Sequence, residues 1–146
     1  MSKKRVWADI ATRLAEESKC VSHSVACVIV KDNHIISTGV NGSQSGHPNC
    51  CEVFIKYNKE TDREAHHRWS NIHEVHAEKN ALRWIDRSQS EGSTCYVTIE
   101  PCLNCLKDMI AAGVKEVYFK DYYDKNEYRE EMIAEAVRAG VIFERF

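Results

Sequence analysis

His76-Ala77-Glu78 and, further along, Pro101-Cys102-Leu103-Asn104-Cys105 pair an H-x-E run with a P-C-x-x-C run, and the rest of the chain is read outward from them. Alone, an H-x-E is background, and a C-x-x-C fits a redox pair or half of a structural zinc site. Together they supply one imidazole, two thiolates and a carboxylate that need not bind metal. A zinc held by three protein ligands keeps a fourth position for water and draws the pKa of that water toward neutrality. Glu78 is then free to carry protons, which is the arrangement of hydrolytic base deamination. A metalloprotease is excluded by spacing, because His73-Glu74-Val75-His76 sets its histidines three apart and not four.

The surrounding pattern places both runs at helix starts. Ala77, Ala81, Leu82, Trp84 and Ile85 recur at helical spacing and predict a helix over 76–87, with His76 and Glu78 in its first turn and a breaker over 88–92. Thr94 opens a β-rich strand to Ile99. Pro101 suits the first turn of a helix reaching Ala112, which Gly113 ends. Thiolates are favoured at such a start by the helix dipole. Upstream, an amphipathic helix through Val6, Ile10, Ala11 and Leu14 ends near Ser18, and two strands, 25–30 and 35–40, meet at Lys31-Asp32-Asn33. Downstream come a strand at 116–119, a helix at 127–139 and a strand at 141–146. The order α-β-β-α-β-α-β-α-β predicts an α/β protein with helices on both faces of the sheet. The charged stretch 47–71 has no readable pattern and is taken as a polar insertion.

At 146 residues the chain fits one domain, 1–146, with a core that needs no disulfides. Its 20 basic and 22 acidic residues nearly cancel, so no overall positive field would gather a polynucleotide, and none is expected as a partner. No run approaches the roughly 20 apolar residues that cross a bilayer. Arg13, Glu16 and Glu17 also break the apolar stretch behind the basic start Met1-Ser2-Lys3-Lys4-Arg5, so neither membrane nor export is expected and the cytoplasm is the expected compartment. Seven cysteines, an odd number, then point to metal binding and buried thiols. Cys27 and Cys95, inside strands, read as small apolar groups. Trp7 and Trp84 fall on helical apolar faces and are expected in the core, or at a subunit contact.

Beyond the two runs, Glu17-Ser18-Lys19-Cys20, Ile36-Ser37-Thr38-Gly39-Val40-Asn41-Gly42-Ser43, Asn49-Cys50-Cys51, Trp69-Ser70, Glu74-Val75-His76-Ala77-Glu78-Lys79-Asn80-Ala81 and Tyr123-Asp124-Lys125-Asn126 resemble the deoxycytidylate (dCMP) deaminases, above all those of bacteriophages. The resemblance implies a three-layer α/β/α cytidine-deaminase-like fold with a mixed five-stranded sheet. It implies hydrolysis of dCMP to dUMP and ammonia, supplying thymidylate synthesis, in a homo-oligomer, often a hexamer, within the host cytoplasm. Feedback control by dCTP and dTTP also follows, with Mg2+ accompanying the triphosphate. His76, Cys102 and Cys105 become the ligands of a catalytic zinc, with Glu78 as proton carrier. Asn41 would contact the sugar and the Ala77 backbone the base, while Ser22 and Ser24 would meet the phosphate.

A second zinc is implied at Cys20, Cys50, His66 and Glu74. Spacing alone does not choose these over Cys51, His67, His47 or His73; the resemblance does. The loop 41–46, through Asn41, Gly42, Ser43 and Gly46, would cradle the effector triphosphate, with Arg87 beside it. Here the chain departs from its relatives' pattern. Val40 stands where they carry Tyr, and Gln44 where they carry Pro. Asn41-Gly42 also fits a simple turn and Arg87 a solvated helix-end cation. Tyr123, past a strand end, would close over the base or sit at a subunit contact. Two other functions share the motifs. One is deamination of cytidine or of adenosine in transfer RNA. The other is a zinc module without catalysis, which would need Glu78 as a fourth ligand.

Overall fold

Ala26–Lys31 (β1) is apolar at all but its last position because both of its faces are covered. Asp32 and Asn33, at φ 51° and 64°, make a two-residue hairpin turn that returns the chain as His34–Val40 (β2), with Lys31 opposite His34 and Ala26 opposite Val40. The register slips by one residue between Ile29 and Val30, a bulge that bends this outer pair. The computed structural model describes residues 3–146; Met1 and Ser2, at the head of the basic start, lie outside the described residues.

In chain order the other elements are α1 (Lys3–Leu14), continued by a 3-10 turn (Ala15–Glu17), then β3 (Gly42–Ser43), α2 (Cys50–Val53), α3 (Arg63–His73) and β4 (Glu74–Val75). These are followed by α4 (Ala77–Leu82), α5 (Arg87–Ser90), β5 (Thr94–Ile99), α6 (Leu103–Ala111), β6 (Glu116–Asp121), α7 (Arg129–Ala139) and β7 (Ile142–Arg145). The main sheet runs β2-β1-β5-β6-β7, antiparallel across β2/β1 and β1/β5 and parallel across β5/β6 and β6/β7. It is the mixed five-stranded sheet expected. Alternate residues divide the core. Val28, Val30, Tyr96 and Tyr118 pack under Ala8 and Ala11 of α1, while Cys27, Ile29, Cys95, Val97 and Val117 pack against Ala77, Ala81, Leu106, Met109, Met132 and Ala136 of α4, α6 and α7.

This topology gathers one end of the sheet. Parallel β5 and β6 finish side by side, Ile99 opposite Asp121, and antiparallel β1 starts at that same end, next to the close of β2. Segments 18–25, 41, 100–105 and 121–126 therefore share a rim, where α/β folds place their ligands.

Several boundaries differ from the sequence reading. The 76–87 helix stops at Leu82, and the supposed breaker holds α5, because Asp86 accepts from the Gln89 amide while the Gln89 side chain accepts from the Asp86 amide. With the helix ended, Trp84 leaves its apolar register and lies 70% exposed, not in the core; Trp7 does pack against the α1-side cluster. The insertion is ordered by α2 and α3, and β3 and β4 pair across it. Gly113, at φ 86°, ends α6 as expected. No described helix is long and apolar enough to cross a membrane.

Candidate metal centre and its rim

His76 and Cys102 are N-cap residues, one position earlier than the first-turn placement expected for the H-x-E run. Extended backbone at each (ψ 150° and 167°) turns the side chains off their helices and toward each other. His76 Nδ1 lies 3.3 Å from Cys105 Sγ and 3.6 Å from Cys102 Sγ. Ligands at tetrahedral corners around zinc, with Zn–N of about 2.0 Å and Zn–S of about 2.3 Å, stand about 3.6 Å apart, so the three donors fit one ion. Close packing holds the trio. A Cβ at Gly39 of β2 would run into the Ala77 carbonyl and the Ala81 amide, so only glycine lets α4 lie this near the sheet.

Charges within the trio favour a cation. A hydrogen bond from Cys105 draws the Cys102 thiol down to about 4, with the Cys105 amide and His76 assisting against burial, while Cys105 is pushed up by that same bond and by burial. Cys102 is thus favoured as the thiolate a metal binds, while Cys105 keeps a proton that a metal would displace. The bond to Cys102 raises His76. Glu78, 4% exposed, is raised by burial, with its own backbone amide and nearby His76 opposing. It is absent from the donor group, so it stands beside that group without belonging to it.

Cys20, Cys50, His66 and Glu74 form a second group, on a loop, α2, α3 and β4 respectively. His66 Nε2 lies 3.6 Å from Cys20 Sγ, 3.1 Å from Cys50 Sγ and 3.6 Å from Glu74 Oε1, and Cys20 Sγ is 3.6 Å from that same oxygen. The near-equal separations describe four corners around one point. Burial pushes the Cys50 thiol up to about 12, raises Cys20 and lowers His66, all of which disfavour charge until a cation supplies its own. Glu74 Oε2 is buried with no hydrogen-bond partner. Cys51, His67, His47 and His73 stay outside the group.

The profile of the family described as "Cytidine and deoxycytidylate deaminase zinc-binding region" matches residues 1–121. The chain belongs to this family. It is 38% identical to the deoxycytidylate deaminase of Enterobacteria phage T4 over 148 aligned positions, spanning 80% of this chain and 77% of that one. With the deoxycytidylate deaminase of Homo sapiens it shares 30% over 145 positions, 94% of this chain and 75% of the other. The crystal structure of the dCMP deaminase from cyanophage S-TIM5 in complex with dCMP and dUMP superposes with a TM-score of 0.75 at 30% identity, covering 98% of this chain and 96% of that one. The expected phage relatives and cytidine-deaminase-like fold are thus both found.

Other candidate residues of this family member scatter more. Asn41 sits on the rim and accepts from Ser18 Oγ at 2.6 Å and the Val25 amide at 2.9 Å, while its amide donates to the His23 carbonyl at 2.8 Å. Ser22 and Ser24 are exposed on the same loop, Ser22 Oγ 2.9 Å from His23 Nδ1. Tyr123 is half-buried and meets the His23 ring edge-on at 5.9 Å. Gly42 and Ser43 line a groove of about 360 Å³ with Lys19, Asn41, Arg83 and Trp84. Gly46 and Arg87 do not line it; the Arg87 guanidinium donates to the Ala111 carbonyl at the end of α6. Sequence reasoning missed His23, Lys19 and Arg83. Arg83 is the residue that caps the end of α4, four positions before Arg87, which opens α5.

Proposed function

We propose that the chain hydrolyses dCMP to dUMP and ammonia as a single 1–146 domain. The observation that carries this is the three-donor group of His76, Cys102 and Cys105 with buried Glu78 beside it. Those three would hold a catalytic zinc, which when bound supplies an activated water. Glu78 takes a proton from the attacking water and gives it to N3 of the pyrimidine. A second proton passes through the same carboxylate to the C4 amine, which leaves as ammonia. Burial keeps bulk water from competing for those protons and raises Glu78 toward the range where it both accepts and donates. The Ala77 backbone, behind the His76 cap, would meet the base.

The deoxynucleotide reading is supported by phage and human relatives named deoxycytidylate deaminases and by a likeness to a structure holding dCMP and dUMP. On the rim, Asn41 keeps a second N–H for the sugar, Ser22 and Ser24 face the phosphate, and Tyr123 closes over the base. Cys20, Cys50, His66 and Glu74 would hold a structural zinc. Control by dCTP or dTTP with Mg2+ would use the groove at Asn41, Gly42 and Ser43, with Lys19 and Arg83 as the cations that line it and Gly46 and Arg87 outside it. The assembled form would be a hexamer in the host cytoplasm, feeding thymidylate synthesis.

One assay tests substrate, metal and control together. Ammonia release is measured from dCMP, cytidine and transfer RNA, with and without dCTP or dTTP, on protein whose zinc has been quantified and whose mass has been sedimented. Turnover confined to dCMP, two zinc per chain and a mass six times 16.8 kDa are expected. Preference for cytidine or RNA overturns the substrate, no turnover at all favours a zinc module, and rates unmoved by either triphosphate remove the control.

A further inference from the structure

Among the described residues, Glu100 and Arg129 form the one Lys or Arg salt bridge whose carboxylate is buried, at 1% side-chain exposure, and Glu100 stands two residues before Cys102. Arg129 enters from the first turn of α7. Its Nε donates to Glu100 Oε2 at 2.8 Å and its Nη2 to Oε1 at 2.7 Å, a two-pronged contact, and Nη2 also donates to the Tyr123 carbonyl at 3.0 Å. The Tyr123 amide donates to Glu100 Oε1 at 3.2 Å, and the Glu100 amide to the Asp121 carbonyl at 2.8 Å. The segment 121–126 is thereby closed onto one carboxylate from both sides. On the outside of this closure the Tyr123 ring faces His23, whose carbonyl is fixed by Asn41.

An ion pair that buries its carboxylate is a poor way to gain stability, since apolar side chains of like volume do as well or better. What it supplies is direction. A planar guanidinium that must satisfy two carboxylate oxygens and one carbonyl admits a single placement of the segment. We propose that Glu100 and Arg129 are a positioning pair, which sets Tyr123 against His23 on the rim that also carries Cys102 and so fixes the affinity for the nucleotide. Neither residue touches the reacting atoms. The inference rests on the nucleotide reading of that centre and adds to it the part that sets KM.

The test uses the zinc-loaded protein with Arg129→Met, Tyr123→Ala and the two combined. Arg129→Met is expected to raise KM for dCMP about tenfold, with kcat within about twofold and zinc content unchanged. Tyr123→Ala should raise KM alike, and the double variant no further, because both changes remove one device. Arg129→Lys, keeping the charge but not the fork, should fall between. Amide exchange, read without substrate, should quicken over 121–126 in Arg129→Met and stay constant over 103–111. Unchanged exchange at 121–126, multiplying effects in the double variant, or kcat falling together with bound zinc would each overturn the proposal. Wild-type protein inert toward dCMP overturns the substrate reading instead, and the exchange comparison then still decides the positioning.

Discussion

Glu78 is where one side chain carries the most consequence. Its carboxylate is buried against a sheet face of thiols and aliphatics, where charge is disfavoured, yet its helix starts with the imidazole that faces both sulfurs. Substituting Gln keeps shape and volume while removing the proton site. Glu78→Gln is expected to retain zinc and fold while losing about 10²–10⁴ in kcat, measured by steady-state ammonia release on metal-quantified protein. Turnover within tenfold of wild type would remove Glu78 from the reaction, and loss of zinc would make it a ligand. These residues were readable because their chemistry is local: two short runs, each opening a helix, carry all four side chains. His23 and the Glu100–Arg129 pair were not, since each acquires meaning only through a partner far along the chain, and no spacing rule joins Glu100 to Arg129.

Among the elements, the hairpin and the parallel strands announce themselves through apolar runs bounded by turn residues, and Asp32-Asn33 fixes the first connection outright. The insertion does not. Asn49 and Glu52 do form a capping box, but α2 is a single turn, and the inward residues of α3, His66, Trp69, Ser70 and His73, are helically spaced but mostly polar, so no apolar period marks either helix. What orders them is long-range. Cys50 and His66 meet Cys20 and Glu74, and Phe54, Tyr57, His66 and Trp69 stack edge to face over them. A metal at the four-ligand group would therefore be a fold element in its own right. His66→Ala is expected to bind one zinc per chain where wild type binds two, to melt lower, and to open 50–73 to protease while the trio at His76 keeps its ion. Zinc quantitation with limited proteolysis reads both effects, and a variant that still holds two ions would dissolve the second site.

On the scale of the molecule, the start of α7 and the segment after β6 are tied to the turn before Cys102 through Glu100, so global stability should carry that carboxylate's titration. Burial alone would raise its pKa; bonds from Arg129, Asn126 and the Tyr123 amide outweigh this and leave it below the usual carboxylate range. A folded-state pKa depressed below the unfolded one, about 4.3 for Glu, means stability that is fully present above that value and lost as pH falls through the folded value. Glu100→Gln keeps the volume but cannot answer Arg129 with charge. Its deficit in denaturant midpoint relative to wild type is expected to be constant from neutral pH down to about 5 and to shrink below about 4.3 as the wild-type carboxylate protonates. The other acids, and the His and Cys groups proposed to hold metal, titrate alike in both proteins and cancel in the difference. A deficit that instead widened toward acid would mean that Glu100 is already protonated in the native protein, leaving Arg129 to hold the 121–126 segment through the Tyr123 carbonyl alone.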